Sequence, residues 1–238
     1  TLHAIKSDHD CQLLLSVGGW NRSAAFPALA GSAESRKRFV IALSVYCAKN
    51  RFSGVDYDWE HPKGAKELAD YGKLLAETRA VFQPLGLEVT VAQAAWQDLG
   101  KAAYEAVDRV HLMSYDHAFP QATLRKSQSD VKGLLGWGCP AHKIAVGLPF
   151  YGRNKERATR TYRELAAGGE LAATADQHDG FAFNGRATVA AKTRLALEHK
   201  LGGVMIWELG QDSTDKSTSL LQAIRDCLRE AAPGEPAR

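Results

Sequence analysis

The sequence predicts an α/β protein built on parallel strands. Three observations carry that prediction. Segments of strand character alternate with segments of helical periodicity along the chain. Cys11-Gln12-Leu13-Leu14-Leu15-Ser16-Val17 is a near-continuous apolar run, the pattern of a strand buried on both faces. Residues 52–62 alternate strictly, with Val55, Tyr57 and Trp59 between Asp56, Asp58 and Glu60.

The bounds are those of an ordinary globular chain. It has 238 residues, 45% hydrophobic and 24% charged, enough for one large domain with a sizeable core. The net charge of +3 gives no argument for nucleic acid, and no Lys/Arg block suggests a membrane surface. No apolar run approaches the ~20 residues that span a bilayer. Thr1-Leu2-His3-Ala4 lacks the apolar stretch of a signal peptide. Cys11, Cys47, Cys139 and Cys227 show no metal-type spacing. Disulfides stay open for an exported protein.

The elements follow in order. The first strand ends in Gly18-Gly19, where a backbone bends or approaches something closely, and Trp20 follows. Residues 32–50 predict a helix, capped by Ser32 or Ser35, with Phe39, Leu43 and Tyr46/Cys47 at helical spacing. The acidic strand comes next and stops at Pro62. Residues 64–82 predict a second helix, 87–95 a third strand and 99–107 a short helix. Residues 110–116 predict a fourth strand, 129–137 a helix and 143–153 a fifth strand. Residues 154–185 read as an irregular excursion with one short helix, given its polar composition and the Gln177-His178-Asp179-Gly180 turn signal. Residues 187–199 predict a helix, 201–208 a sixth strand and 219–231 a closing helix. The tail from 233 reads as frayed.

The acidic strand is the chemically informative element. Its three carboxyl groups share one face, successive members ~7 Å apart. On a solvated edge they would do nothing. Facing inward, they cannot all stay ionised, because like charges in a confined site push at least one upward. A carboxylic acid kept protonated near neutral pH is what a general acid needs. Tyr57 and Trp59 form an apolar face that must be buried, which favours the inward arrangement.

These residues also carry a resemblance. Ser53 to Glu60 resembles DxxDxDxE, the signature of family 18 glycoside hydrolases, the chitinase family. Asp56, Asp58 and Glu60 match its last three acids, and Ser53 stands at its first Asp. Ser16-Val17-Gly18-Gly19 resembles the family's SxGG and Met113-Ser114-Tyr115-Asp116 its MxYD. Phe150-Tyr151-Gly152-Arg153 is similar to the end of its seventh strand, and residues 201–208 to its last, with Trp207 at the Trp beneath the sugar. The motifs occur in the family's order.

The resemblance implies a (β/α)8 TIM-barrel fold of the bacterial-type catalytic domain, covering residues 1–232 before a disordered tail at 233–238. The six strands correspond to the family's third to eighth. Only about ten residues precede them, against ~30 for each βα unit, so this sequence holds an apparently incomplete barrel. Its edge strands, 13–17 and 204–207, would then be open to self-association.

The implied activity is hydrolysis of β-1,4 bonds between N-acetylglucosamine units, assisted by the substrate, with retention. Glu60 is the implied proton donor. Asp58 holds the 2-acetamido N–H, Asp56 shares a proton with Asp58, and Tyr115 bonds the acetamido oxygen. Trp207, Trp20, Asp116, Met113, Tyr151 and Arg153 are the implied sugar contacts. Ser16, Gly18 and Gly19 support the acids, Ser16 through its hydroxyl to Asp56. The implied partner is chitin or its oligosaccharides, with no nucleic acid, membrane, metal or cofactor, and the implied location is extracellular. Two alternatives stay open: an oligosaccharide-binding protein without hydrolysis, and a hydrolase of peptidoglycan or an N-glycan core. The presence of Glu60 favours an enzyme.

Overall fold

The computed structural model describes residues 2–167 and 171–231. The predicted tail at 233–238 and the glycines at 168 and 169 lie outside them. The chain forms two compact units, Thr1–His111 with Leu134–Lys143, and Leu112–Gly133 with Ile144–Arg238.

The first unit runs α1 (Leu2–Asp8), β1 (Leu14–Gly18), α2 (Phe26–Gly31), α3 (Ala33–Lys49), β2 (Gly54–Asp58), α4 (Gly64–Phe82), β3 (Glu88–Ala94), α5 (Lys101–Ala106) and the start of β4 (Arg109–Met113). Its strands are ordered β1-β2-β3-β4. β1, β2 and β3 pair in parallel, with Ser16 opposite Asp56, Gly18 opposite Asp58, and Asp56 opposite Thr90. Ser32 caps α3 by accepting the Ser35 N–H at 3.3 Å. α3 buries Val40, Leu43 and Cys47, one helical face.

The apolar side of β2 builds this unit's core. Val55 and Tyr57 are fully buried. The Tyr57 hydroxyl meets Thr78 Oγ1 of α4 at 2.8 Å. Trp59 stacks on Phe26 at 5.0 Å and meets the edge of Tyr71 at 5.2 Å. Such aromatic packing stabilises beyond area burial alone, by ~1 kcal/mol per pair. It holds the acidic face of the strand in one orientation.

The second unit holds α6 (Leu124–Gly136, its last turn in the first unit), β5 (Ile144–Pro149), β6 (Tyr151–Arg153), β7 (Thr159–Thr161), α7 (Tyr162–Ala166), β8 (Gln177–His178), β9 (Phe181–Ala182), α8 (Arg186–Glu198), β10 (Gly203–Trp207) and α9 (Leu220–Ala231). β10 pairs in parallel with β5, Gly203 opposite Ala145 and Trp207 opposite Pro149. Every residue of β5 is buried, as its unbroken apolar run requires. Leu148, Phe150, Tyr162, Phe183, Val189 and Ile224 belong to one core.

Several boundaries differ from the sequence expectation. The fourth strand stops at Met113, so Tyr115 and Asp116 follow it in a loop; Asp116 takes a left-handed φ of 59°, which ends strand geometry. The fifth strand divides into β5 and β6. Within the predicted excursion, β7, β8 and β9 join β6 in an antiparallel sheet, β7-β6-β9-β8, and α7 follows β7, its Thr161 and Glu164 forming a capping box. Its strands are two or three residues long, too short for a visible period. α6 starts at Leu124, five residues early, because its first turns are helix-favouring but polar. α1 and α2 were not expected. Among the described residues β1 has one sheet neighbour, β2, and β10 has one, β5.

Candidate active site

The acids of the first unit stand at the end of β2. Asp58 is 8% exposed. The side chains of Asp56 and Glu60 are 17% and 14% exposed. All three are therefore turned away from bulk water, as the inward arrangement required.

The backbone beneath them explains the Gly-Gly. Gly19 N–H donates to the Asp58 carbonyl at 2.7 Å. A Cβ on Gly18 would collide with that carbonyl, and its φ of 112° is one that glycine adopts readily. Ser23 completes the junction. Its hydroxyl lies 3.2 Å from both the Asp58 and Gly19 carbonyls and accepts the Glu60 N–H at 3.0 Å. One hydroxyl thus ties the backbone of Asp58 to that of Glu60.

The two aspartates differ in their partners. Asp56 Oδ1 accepts a short hydrogen bond from Thr90 Oγ1 and lies 3.0 Å from His111 Nδ1. Ser16 is exposed opposite Asp56 in the register; the hydroxyl on this carboxylate is that of Thr90. Asp58 Oδ1 is buried and has no hydrogen-bond partner among the described residues. Burial, then the charges of Glu60 and Asp56, push the Asp58 carboxyl up to about 7, while His111 pulls it down. A carboxyl in that state can hold or release a proton near neutral pH.

His61 Nε2 lies 3.6 Å from Glu60 Oε2, and burial holds that imidazole below its ordinary value. Its ring meets Trp96 edge-on at 5.0 Å. Gln97 Nε2 donates to the Pro62 carbonyl at 2.7 Å, which ties the Trp96 loop to this segment. Trp20 and Trp96 are 72% and 67% exposed, unusual for such large apolar rings. Among the described residues no group of three or more His, Cys, Asp and Glu could hold a metal, and all four cysteines are free thiols.

The second unit gathers a separate set. Asp116 Oδ1 accepts the Tyr151 hydroxyl at 2.6 Å, and Arg153 Nε lies 3.2 Å away in an ion pair. Burial, then the Asp116 charge, raises the Tyr151 hydroxyl. Gln121 accepts the Asp116 N–H and donates to the Tyr151 carbonyl. The Tyr115 ring meets Tyr151 edge-on at 6.2 Å, and its hydroxyl lies 3.9 Å from Met205 Sδ. Gly147 leaves room for that ring, which a Cβ would strike. Met113 is half-buried at the end of β4, and Trp207 is 51% exposed.

Ser23, Thr90, His111, Gly147 and Trp96 were not singled out from the sequence. Two left a signal. Thr90 sits between Val89 and Val91, and His111 between Val110 and Leu112. A lone polar residue between buried apolar ones in a strand points to a polar patch on its other face.

Comparison with known proteins adds the family. The sequence model of the glycosyl hydrolases family 18 matches residues 1–212. Chitinase 1 of Aphanocladium album is 26% identical over 85% of this chain and 62% of its own length. A chitinase from Bacteroides thetaiotaomicron superposes with a TM-score of 0.88 at 22% identity, covering 100% of this chain and 82% of that one. A plant class V chitinase mutant from Cycas revoluta, in complex with (GlcNAc)3, gives 0.82 at 21% identity, over 95% and 83%. At these identities the superpositions show the fold, α/β of the TIM-barrel type with six strands here. The chain spans 62%, 37% and 29% of three curated relatives.

Proposed function

The chain belongs to family 18 of the glycosyl hydrolases, and on that premise we propose that it hydrolyses β-1,4 bonds between N-acetylglucosamine units with assistance from the substrate. The observation that carries this reading is Asp58. Its Oδ1 is a buried acceptor without a partner among the described residues, on a carboxyl pushed up to about 7. An amide N–H is the complement of such an atom. A buried acceptor left unmade costs ~1–3 kcal/mol, which a bound amide would recover.

The Glu60 carboxyl protonates the glycosidic oxygen as the bond to the anomeric carbon breaks. The carbonyl oxygen of the substrate's own 2-acetamido group attacks that carbon and closes an oxazolinium ring. Asp58 accepts the acetamido N–H and stabilises the positive charge. Asp56 shares a proton with Asp58. Glu60, now a carboxylate, takes a proton from water, which opens the ring from the face the leaving group occupied. The product retains its configuration. This departs from the two-carboxylate scheme of most glycosidases, in which a protein carboxylate is the nucleophile.

The remaining assignments are part of the same proposal. Tyr115 bonds the acetamido oxygen. Trp20 and Trp207 present ring faces to sugars, whose C–H groups suit an indole. Met113, Asp116, Tyr151 and Arg153 contact the saccharide, and the protein acts on extracellular polymer. The (GlcNAc)3 bound to the Cycas revoluta relative supports that substrate class.

The test compares N-acetylated with deacetylated oligomers of the same length. Turnover of the acetylated series alone is expected. Equal hydrolysis of both would sink substrate assistance and require a nucleophile on the protein.

A further inference from the structure

We propose that His111 is a positioning residue: by donating from Nδ1 to Asp56 it stabilises the negative charge of that carboxylate, so that the proton shared by the two aspartates resides on Asp58. The inference rests on the catalytic reading above and adds a residue that neither the motifs nor the family match assigns.

Donors and acceptors decide the matter. Asp56 Oδ1 already accepts the Thr90 hydroxyl. The same oxygen lies 3.0 Å from His111 Nδ1. Two donors on one carboxyl stabilise its charged form over its protonated one. With hydrogen on Nδ1, both His111 and Thr90 therefore favour a negative charge on Asp56. If Nδ1 were bare, it would accept a hydrogen bond from a protonated Asp56 instead, and both groups would be neutral. The tautomer of one imidazole thus decides where the negative charge of the strand resides.

Placement supports this. His111 belongs to β4 and Thr90 to β3, each aimed at the same carboxylate of β2. The side chains of His111 and Asp56 are 24% and 17% exposed, so water competes weakly. Asp58, two residues along β2, has no donor on its Oδ1 among the described residues and is crowded by the charges of Glu60 and Asp56. A proton placed between the two aspartates goes to the one whose charge fewer donors support, here Asp58, whose buried Oδ1 has none among the described residues. The pair then meets the oxazolinium with one proton and one negative charge, the charge fixed on Asp56 by its two donors and the proton on Asp58.

The structure around His111 also limits rival explanations. Among the described residues of its unit, the ionisable groups set against this strand end include Asp56, Asp58 and Glu60 from β2 and its end, His61 beside Glu60, and Tyr71 from α4, with Tyr57 on the opposite face of β2. Asp56 is the carboxylate paired with His111.

Two measurements test the proposal. The first is imidazole 15N NMR on the full chain, where His111 is expected as the Nδ1–H tautomer at neutral pH, becoming a mixture with Nε2–H in Asp56→Leu. An Nε2–H tautomer in the unaltered protein overturns the idea whatever the substrate proves to be. The second uses N-acetylglucosamine oligomers. His111→Leu should lower kcat about tenfold with KM nearly unchanged, the scale of one charge-assisted hydrogen bond. His111→Asn, which keeps a donor, should recover most of that loss. Equal kcat for Leu and unaltered protein, or no recovery by Asn at an unchanged melting temperature, overturns the positioning role. Absence of turnover in the unaltered protein would instead count against the catalytic reading, and the NMR result would still decide the state of His111.

Discussion

Among the described residues each unit holds a buried group whose surroundings move it from its ordinary value to about 7, and the two are of opposite sign. In the first, Asp58 is pushed up to about 7 by burial and by its acidic neighbours. In the second, Lys192 is fully buried in α8 and pushed down to about 7 by burial. Their partners differ. Lys192 Nζ donates to Asn184 Oδ1 at 2.7 Å, and the charges of Asp130 and Asp176 favour its protonated form. Asn184 in turn donates to the Ala122 carbonyl at 2.8 Å. Asp58 Oδ1 has no partner among the described residues. A buried charge with partners braces a structure; a buried acceptor without one is poised to receive a ligand.

The pH consequences follow from linkage and run in opposite directions. Asp58 is easier to ionise unfolded than folded. Its burial costs nothing while both states are protonated, below about 3.8, and the cost grows as pH rises to about 7. Lys192 is easier to protonate unfolded than folded. Its cost is complete below about 7 and fades as pH rises toward 10.5. Near pH 7 both costs are present.

Three substitutions probe this contrast. Glu60→Gln should have the largest effect, a fall in turnover of roughly 10²-fold or more with the fold intact. Because the Glu60 charge helps raise Asp58, the pH range over which Asp58 titrates should also move down. Unchanged turnover on chitin oligomers would remove Glu60 from the chemistry.

Asp58→Asn comes next. It should raise stability at pH 8 by a few kcal/mol, since each tenfold difference in proton affinity between folded and unfolded chain is worth ~1.4 kcal/mol, and leave stability at pH 4 unchanged. Urea melts at the two pH values measure it. An equal gain at both would mean that ionisation is not its origin. The smallest effect belongs to Lys192→Met. Removing the charge favours folding at pH 6, but Asn184 Oδ1 loses its donor, so the net gain should be at most ~1 kcal/mol. A loss of several kcal/mol would instead show that the ammonium braces its unit more than its burial costs.

The parts legible in the sequence were those with long, regular periods. α4 has the boundaries that its spacing of Leu68, Tyr71, Leu74/Leu75 and Thr78 implies. The six parallel strands stand where apolar runs or strict alternation announced them. The β6–β9 sheet was missed because strands of two or three residues carry no period. α1 was missed because Leu2 and Ile5 are its main apolar residues and its described residues bury nothing. Ser23 gave no warning at all. Its role depends on two backbones, at Gly19 and Asp58, that are distant in sequence.

By itself the sequence determined that Asp56, Asp58 and Glu60 share one face opposite Tyr57 and Trp59, because alternation is a local property of an extended backbone. It also placed Gly18 and Gly19 where a backbone had to come close. Only the tertiary structure decided which acid would be unlike the others. Asp56 meets Thr90 because β3 lies beside β2 in that register, and meets His111 because β4 follows in the order. Asp58 is buried and meets no donor on Oδ1 among the described residues. Two aspartates of the same strand and face thus acquire different surroundings from what neighbouring strands bring to them, and a register between strands is not written in the strand itself.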